Sequence, residues 1–326
     1  MSDKFFSAAK FLSEYDNFVI ISHVGPDGDA TGSAFAMLTF LQNTGKSAKL
    51  LFPDNIQMRL RKFTDNIPII QDIAEFPQAQ SVIVLDCANP LRAACGEFKY
   101  LEADLPVLNI DHHIDNAITA AKVSLVCPEA AATGEILYYL FRYTGEKIPQ
   151  QTATFLLMAI CDDTGGFRFS NTKPESLRAA ADLQELGADL MRINQTLFFN
   201  KPLNLIKFNA DLVVNHLQIT PDGRYAFLVI TPEMAEKYQL QPGDTDEAIE
   251  QLRNIAGTEI VSVLQIKHGI CKASLRSKNP RYPVGPIARK FHGGGHEMAS
   301  GCSFEGANLN QAQALLSQVI IETLNS

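Results

Sequence analysis

The residues best suited to chemistry in this chain are aspartates and histidines placed where apolar runs end. Val107-Leu108-Asn109-Ile110 runs directly into Asp111-His112-His113. Phe18-Val19-Ile20-Ile21-Ser22 is followed by His23, then by Asp27 and Asp29 around Gly28. Ser81-Val82-Ile83-Val84-Leu85 ends in Asp86, and an apolar helical stretch, Gln151 to Ile160, ends in Cys161-Asp162-Asp163-Thr164-Gly165. Asp-His-His is a metal-ligand set by residue type, yet alone it cannot complete a site.

The elements that must position these groups follow from the patterns around them. Short β-branched runs bounded by Gly, Pro or Asn read as buried strands, and a buried strand delivers its last residues to the C-terminal edge of a sheet. In open α/β folds that edge is where ligands bind. Each group also has a structural alternative. Asp27 and Asp29 suit a turn and an N-cap, Asp86 suits a helix cap, and one of Asp162 and Asp163 suits a solvated turn. Repetition of the arrangement, and an imidazole directly after the first strand, favour a single site. Acidic residues ending a buried helix oppose its dipole, and a nearby cation would remove that conflict.

Ala48-Phe52 is a further strand, and helical spacing covers Ala34-Leu41 and Glu129-Tyr143, the latter stopping at Gly145. From Pro174 to about Asn209 the chain reads as consecutive helices, punctuated by Pro202. From Leu212 strands (Leu217-Ile219, Tyr225-Ile230, Ile260-Gln265, Ile270-Leu275) alternate with helices (Asp246-Ile255, Leu309-Leu324). The fold class is therefore α/β. An N-terminal domain over 1–190 has a mainly parallel sheet flanked by helices. A helical linker over 191–211 leads to a smaller α/β domain with a mixed sheet over 212–326.

The second domain carries its own marked residues. Arg276 leaves a strand, and Gly293-Gly294-Gly295-His296 leaves a glycine loop. A triple glycine lets backbone N–H groups approach an anion closely, though Gly-Gly-Gly is also a common flexible turn. Arg276 and His296 could both reach an anion there. His216, His268 and His292 have no partner in any motif and read as structural or exposed. Arg168 reads equally as a phosphate contact or a surface residue, and Tyr138, Tyr139, Phe141 and Tyr143 read as a packed helix.

Composition bounds the partners. With 326 residues, 46% hydrophobic and 20% charged, the chain is globular and sized for two domains. No run is long enough to cross a membrane, and the N-terminus lacks the charged and apolar regions of a secretory signal. Cys87, Cys95, Cys127, Cys161, Cys271 and Cys302 show no paired spacing and read as small residues of a reduced, cytoplasmic protein. A net charge of −8 argues against a grip on duplex nucleic acid. Any polyanionic substrate must be held locally, by bound cations and a few basic side chains.

Taken in order, His23-x-x-x-Asp27-x-Asp29, Asp86, Asp111-His112-His113 and Asp163-Thr-Gly resemble the DHH phosphoesterase family. Gly293-Gly-Gly-His296-x-x-Ala299-Ser-Gly301 resembles the hallmark of its C-terminal DHH-associated domain. The layout is similar to nanoRNA phosphodiesterases that also act on 3′-phosphoadenosine 5′-phosphate. The resemblance implies two divalent ions. His23, Asp27 and Asp86 would hold one; Asp29, Asp86, His112 and Asp163 the other, with Asp86 bridging. His113 would face the phosphate, and Asp111 would orient the neighbouring histidines. Doubled Asp162-Asp163 leaves a one-residue ambiguity, resolved toward Asp163 because Thr164-Gly165 follows it.

Such a set contains no thiolate and suits Mn2+ foremost, with Mg2+, Co2+ or Zn2+ as alternatives. It would activate water without a protein nucleophile. The implied substrates are short single-stranded RNA, linear dinucleotides or a phosphorylated nucleotide. The phosphate is gripped by Arg276, Gly294, Gly295 and His296, with domain closure completing the site and a homodimer left open. Rival readings are an inorganic pyrophosphatase or exopolyphosphatase, and a non-catalytic nucleotide sensor. The first would bring a larger Arg and Lys cluster than Arg276 and Lys278, and the second would have lost a ligand.

Overall fold

The computed structural model describes residues 2–52, 56–64, 67–93, 104–241, 243–267 and 269–326; Cys95 and His268 lie outside the described residues. Two compact units divide the chain, Met1–Asn200 and Lys201–Ser326.

In the first unit, α1 (Ser2–Glu14), β1 (Phe18–Ile21), α2 (Gly28–Asn43), β2 (Ala48–Leu51), the short α3 (Arg61–Thr64) and β3 (Ile69–Ile70) precede β4 (Ser81–Leu85). Then come β5 (Val107–Asp111), β6 (Val123–Val126), α4 (Thr133–Thr144), α5 (Gln150–Asp163), α6 (Pro174–Glu185) and α7 (Leu190–Leu197). The six strands form one sheet in the order β3-β2-β1-β4-β5-β6, and every pairing is parallel. Alternate residues of β1 and β4 enter two cores. Phe18, Ile20, Ile83 and Leu85 pack with α2, α4 and α5, while Val19, Ile21, Val82 and Val84 pack on the opposite face. Burial on both faces is why these strands read as continuous apolar runs. The strand order reverses between β1 and β4, so a crevice opens at the carboxyl ends of those strands.

α2 and α5 run antiparallel in close contact, which small residues on α2 permit. A Cβ on Gly32 would lie 2.7 Å from the Phe155 carbonyl oxygen, and farther along Thr39 and Thr152 share a 2.8 Å hydroxyl contact. Gly32→Ala is expected to destabilise this unit by about 1–3 kcal/mol through overpacking. Calorimetry should show its transition lowered by several degrees, and an unchanged midpoint would count against so close a contact.

In the second unit, α8 (Leu203–Asp211), β7 (Gln218–Ile219), β8 (Tyr225–Ile230), α9 (Pro232–Lys237) and α10 (Ala248–Arg253) lead to β9 (Ile260–Lys267) and β10 (Ile270–Ser277). They are followed by α11 (Gly285–Lys290), β11 (Gly294–His296), β12 (Ala299–Phe304) and α12 (Leu309–Asn325). The sheet order is β11-β12-β10-β9-β8-β7. It is mixed, because β8 and β9 pair in parallel while the other pairs are antiparallel. α11 and α12 bury one face and α8 with α10 part of the other.

Two expectations change. The stretch 191–211 is divided between the units instead of linking them. Ile193 and Leu197 of α7 are buried in the core of the first unit, and Leu205 and Phe208 of α8 in a core of the second. The glycine run is not a loop, since Gly294 and Gly295 belong to strand β11, registered against Gly301 and Ser300. A Cβ on Gly293 would meet the Gly301 carbonyl oxygen at 2.1 Å, so the run is glycine because one backbone lies on another.

The described cysteines are all free. Burial pushes the Cys161 and Cys302 thiols up to about 12, as befits inert packing residues. Among the described residues no helix is long and apolar enough to cross a membrane.

Candidate metal centre

The crevice gathers its side chains from three strand ends and two helix ends. Asp86 follows β4 in the left-handed region (φ 52°), a conformation Asp adopts more readily than most residues. Its backbone N–H donates to the Ile110 carbonyl at 3.0 Å, which fixes it beside the end of β5. Asp86 is 2% exposed. Asp86 Oδ2 lies 3.7 Å from His23 Nε2, and Asp86 Oδ1 lies 3.5 Å from His112 Nε2. One carboxylate thus faces two imidazoles from different strands, one with each oxygen. Thr133 donates its hydroxyl to Asp86 Oδ1 at 3.2 Å.

On one side stand His23 and Asp27. His23 Nδ1 lies 2.8 Å from the Val24 carbonyl oxygen, a bond that places a hydrogen on Nδ1 and turns Nε2 toward the Asp27 and Asp86 carboxylates. Asp27 is both an N-cap and a candidate ligand. Its Oδ1 accepts the Ala30 N–H at 3.0 Å and lies 3.8 Å from His23 Nε2. Burial alone would lower the His23 pKa, but the hydrogen bond and charge of Asp27, with the charge of Asp86, raise it to about 9. Burial works in reverse on Asp27, and His23 overcomes it, holding that carboxyl well below the usual range.

On the other side are Asp29, His112 and Asp163. α4 begins without a capping side chain of its own. Instead Asp29 accepts the Thr133 N–H at 2.6 Å and the Gly134 N–H at 3.0 Å, with the Ser33 hydroxyl at 2.8 Å. Oδ1 takes two of these donors and Oδ2 one, so Oδ2 retains a lone pair, and it lies 3.8 Å from His112 Nε2. Asp163, the last residue of α5, brings Oδ2 to 3.2 Å from the same nitrogen. Burial and then the Asp86 charge push Asp29 up to about 7, and burial with the Asp29 charge raises Asp163. Carboxylates crowded into one partly buried crevice disfavour each other's ionisation. A divalent cation would offset that crowding, and the donor chemistry fits one.

Asp111 and His113 sit beside these triplets. Asp111 Oδ1 accepts from His113 Nδ1 at 2.7 Å and from the His112 backbone N–H at 2.8 Å. Its Oδ2 accepts from Asn116 Nδ2 at 2.5 Å. Burial would lower the His113 pKa, and the Asp111 hydrogen bond with the charges of Asp86 and Asp111 more than reverses this.

Of the two adjacent aspartates, Asp162 accepts the Gly28 N–H at 2.8 Å and lies 3.3 Å from Arg59. The dipole conflict at the end of α5 is thus relieved there by the N-terminus of α2 and a guanidinium. Sequence reasoning missed several partners: Asn116, Thr133, Gly134, Arg59, and Arg92, whose guanidinium lies 3.2 Å from His23 Nδ1. Backbone donors leave no trace in residue type, and these side chains fall in no motif. Asn116→Ala is expected to lower kcat by about tenfold, as is usual for a group supporting an active-site histidine. Steady-state kinetics beside a count of bound metal will check it, and a wild-type rate would remove Asn116 from that role.

In the second unit Arg276, Ala299 and His296 form one cross-strand row over β10, β12 and β11. Residues in one row point to the same face, so Arg276 and His296 flank a small residue there. Arg276 Nε also lies 3.5 Å from Glu250 Oε1. Arg168 donates to the Gly165 carbonyl at 2.5 Å and covers the Phe198 ring. Tyr138 and Phe141 are buried in α4, and Tyr138 donates to Asp182.

Comparison with known proteins agrees with this architecture. The DHH family N-terminal domain model matches residues 17–160, and the DHHA1 domain model matches 222–322. The chain carries the DHH family N-terminal domain and the DHHA1 domain, and is a hydrolase. A curated relative, the bifunctional oligoribonuclease and PAP phosphatase NrnA of Thermus thermophilus, is 29% identical over 94% of this chain and 89% of its own length. Among solved structures, an exopolyphosphatase-related protein from Bacteroides fragilis superposes with a TM-score of 0.88 at 23% identity, covering 99% of this chain and 98% of that one. RecJ from Thermus thermophilus in complex with Mn2+ superposes with a TM-score of 0.55 at 14% identity, covering 98% of this chain and 55% of that one.

Proposed function

We propose that the chain is a two-metal phosphoesterase that hydrolyses short oligoribonucleotides or linear dinucleotides to mononucleotides, and 3′-phosphoadenosine 5′-phosphate to AMP. The observation that carries this is Asp86, whose two oxygens face His23 and His112 between an Asp27 side and an Asp29–Asp163 side. The name of the Thermus relative supports the substrate class. In this reading His23, Asp27 and Asp86 hold one divalent ion, and Asp29, Asp86, His112 and Asp163 the other, with Mn2+ best suited to the donors. When bound, such ions supply an activated water and neutralise phosphate charge.

The chain's own residues do the rest. Asp111 holds the Nδ1 hydrogen of His113, which leaves Nε2 to donate to a phosphate oxygen. The hydrogen bond to Asp111 and the charges of Asp86 and Asp111 favour the protonated form of His113 against its burial. Buried backbone donors on Asp29 keep its geometry fixed while ligands and substrate change. In the second unit, Arg276 offers a fork of donors to a terminal phosphate, with His296 and the Gly294–Gly295 backbone beside it.

The test is hydrolysis with Mn2+ of a 5′-phosphorylated dinucleotide, a pentanucleotide RNA, 3′-phosphoadenosine 5′-phosphate, cyclic di-AMP and pyrophosphate. Cleavage of pyrophosphate alone would overturn the nucleotide assignment. Arg276→Ala is expected to raise KM by about 10–100-fold, the weight of a charged hydrogen bond, with kcat little changed. An equal fall in kcat at constant KM would move Arg276 from binding to chemistry.

A further inference from the structure

The proposed ligands come from separate segments, and a pair of side chains outside the ligand set holds two of those segments together. Gly28, the first residue of α2, has an N–H that its own cap does not take, because Asp27 is used on Ala30. That N–H donates to Asp162 Oδ2 at 2.8 Å. The approach is so close that a Cβ on Gly28 would lie 2.3 Å from Asp162 Cγ. Asp162 Oδ1 lies 3.3 Å from Arg59, with the two side chains 13% and 30% exposed. Arg59 also donates to the Leu197 carbonyl, at the end of α7, at 3.2 Å and to Gln57 Oε1 at 2.9 Å. One carboxylate therefore ties the first turn of α2 to the last turn of α5, and Arg59 anchors it to α7.

The neighbours of this tie are the candidate ligands themselves. Asp27 and Asp29 bracket Gly28, and Asp163 follows Asp162. We propose that Asp162 and Arg59 are positioning residues that set the separation between Asp29 and Asp163, and thereby the affinity for the ion of the Asp29–His112–Asp163 triplet. Asp162 also lies within reach of Asp27 and Asp163 as a ligand, but its Oδ2 and Oδ1 are turned to Gly28 and Arg59. The two roles make opposite forecasts for Arg59. Loss of Arg59 weakens metal binding if Asp162 positions the centre, and leaves it intact or strengthens it if Asp162 ligates.

The proposal rests on the two-metal reading, and its test separates the two. Mn2+ is titrated calorimetrically into metal-stripped wild type, Arg59→Met, Asp162→Ala and Asp162→Asn, with melting in EDTA recorded for each. The expected result is two Mn2+ per wild-type chain and about tenfold or greater weakening of one of them in Arg59→Met and Asp162→Ala. Asp162→Asn, which can still accept from Gly28, should lie nearer wild type, and KM for a dinucleotide at saturating Mn2+ should not change. Wild-type protein that takes up no Mn2+ overturns the metal centre. With wild-type binding intact, unchanged affinity in Arg59→Met overturns the positioning role alone. Should Asp162→Ala fail to fold, the partly exposed Arg59 still decides the question.

Discussion

Replacing Asp86 by Asn is expected to lower kcat by about 10³-fold or more. Each ion of such a centre contributes several kcal/mol of charge stabilisation, and every 1.36 kcal/mol is a decade in rate. In the proposed centre Asp86 is the side chain on which both would depend, because its oxygens face His23 at 3.7 Å and His112 at 3.5 Å. Asn is the informative substitution. It tolerates the left-handed backbone found at this position, and it can still accept the Thr133 hydroxyl. Ala lacks the short polar side chain that eases a left-handed backbone for Asp and Asn, so it would add backbone strain to the loss of charge. A fall in kcat with the melting temperature nearly unchanged would assign the effect to the lost charge. Activity of Asp86→Asn within tenfold of wild type, with two ions still bound, would end the bridging assignment.

Which parts of this centre were legible in the sequence follows from how each is built. His23, Asp86 and Asp111 were visible because a buried parallel strand is an uninterrupted apolar run, so its end is sharp and its edge predictable. The reversal of strand order between β1 and β4 was not visible, since it depends on pairing between distant segments. Asp29 was recognised as a ligand type, but its hydrogen bonds to the start of α4 were not. They run to backbone groups, and α4 carries no capping residue to announce them. Asp162 was read as an alternative to Asp163. Gly28 and Arg59, which engage Asp162, are both remote in sequence. The strand β11 was hidden for a different reason. Glycine has low strand propensity, yet Gly294–His296 pairs with β12, and backbone of that strand leaves no room for a side chain at Gly293 or Gly295. The helices over 191–211 looked like a linker because their apolar faces do not reveal which core they join.

The second large effect is a metal affinity that climbs with pH. Without an ion, His23 titrates at about 9, raised by Asp27 and Asp86 against its burial, and Asp29 at about 7, raised by burial and Asp86. Near neutral pH the metal-free crevice therefore favours a proton on His23, and Asp29 gives up its proton far above the ordinary carboxylate range. Both must lose it before a lone pair can bind a cation. The sign is the same for stability. The carboxylates around protonated His23 stabilise the metal-free fold below its ordinary pKa of 6.5, and this is lost as pH rises through about 9. Asp29 favours its protonated form in the fold, so its contribution is lost between 3.8 and about 7. The ion takes over what the protons gave up. The gain in melting temperature from Mn2+ over EDTA should therefore widen from about pH 6 to about pH 9, with apparent affinity rising by up to about tenfold per pH unit for each proton displaced. Calorimetry in buffers of different ionisation enthalpy should register proton release on binding near pH 7. A thermal gain that stays constant or narrows over that range would show that these ligands are already deprotonated in the metal-free protein, and would remove His23 and Asp29 as the groups that control uptake.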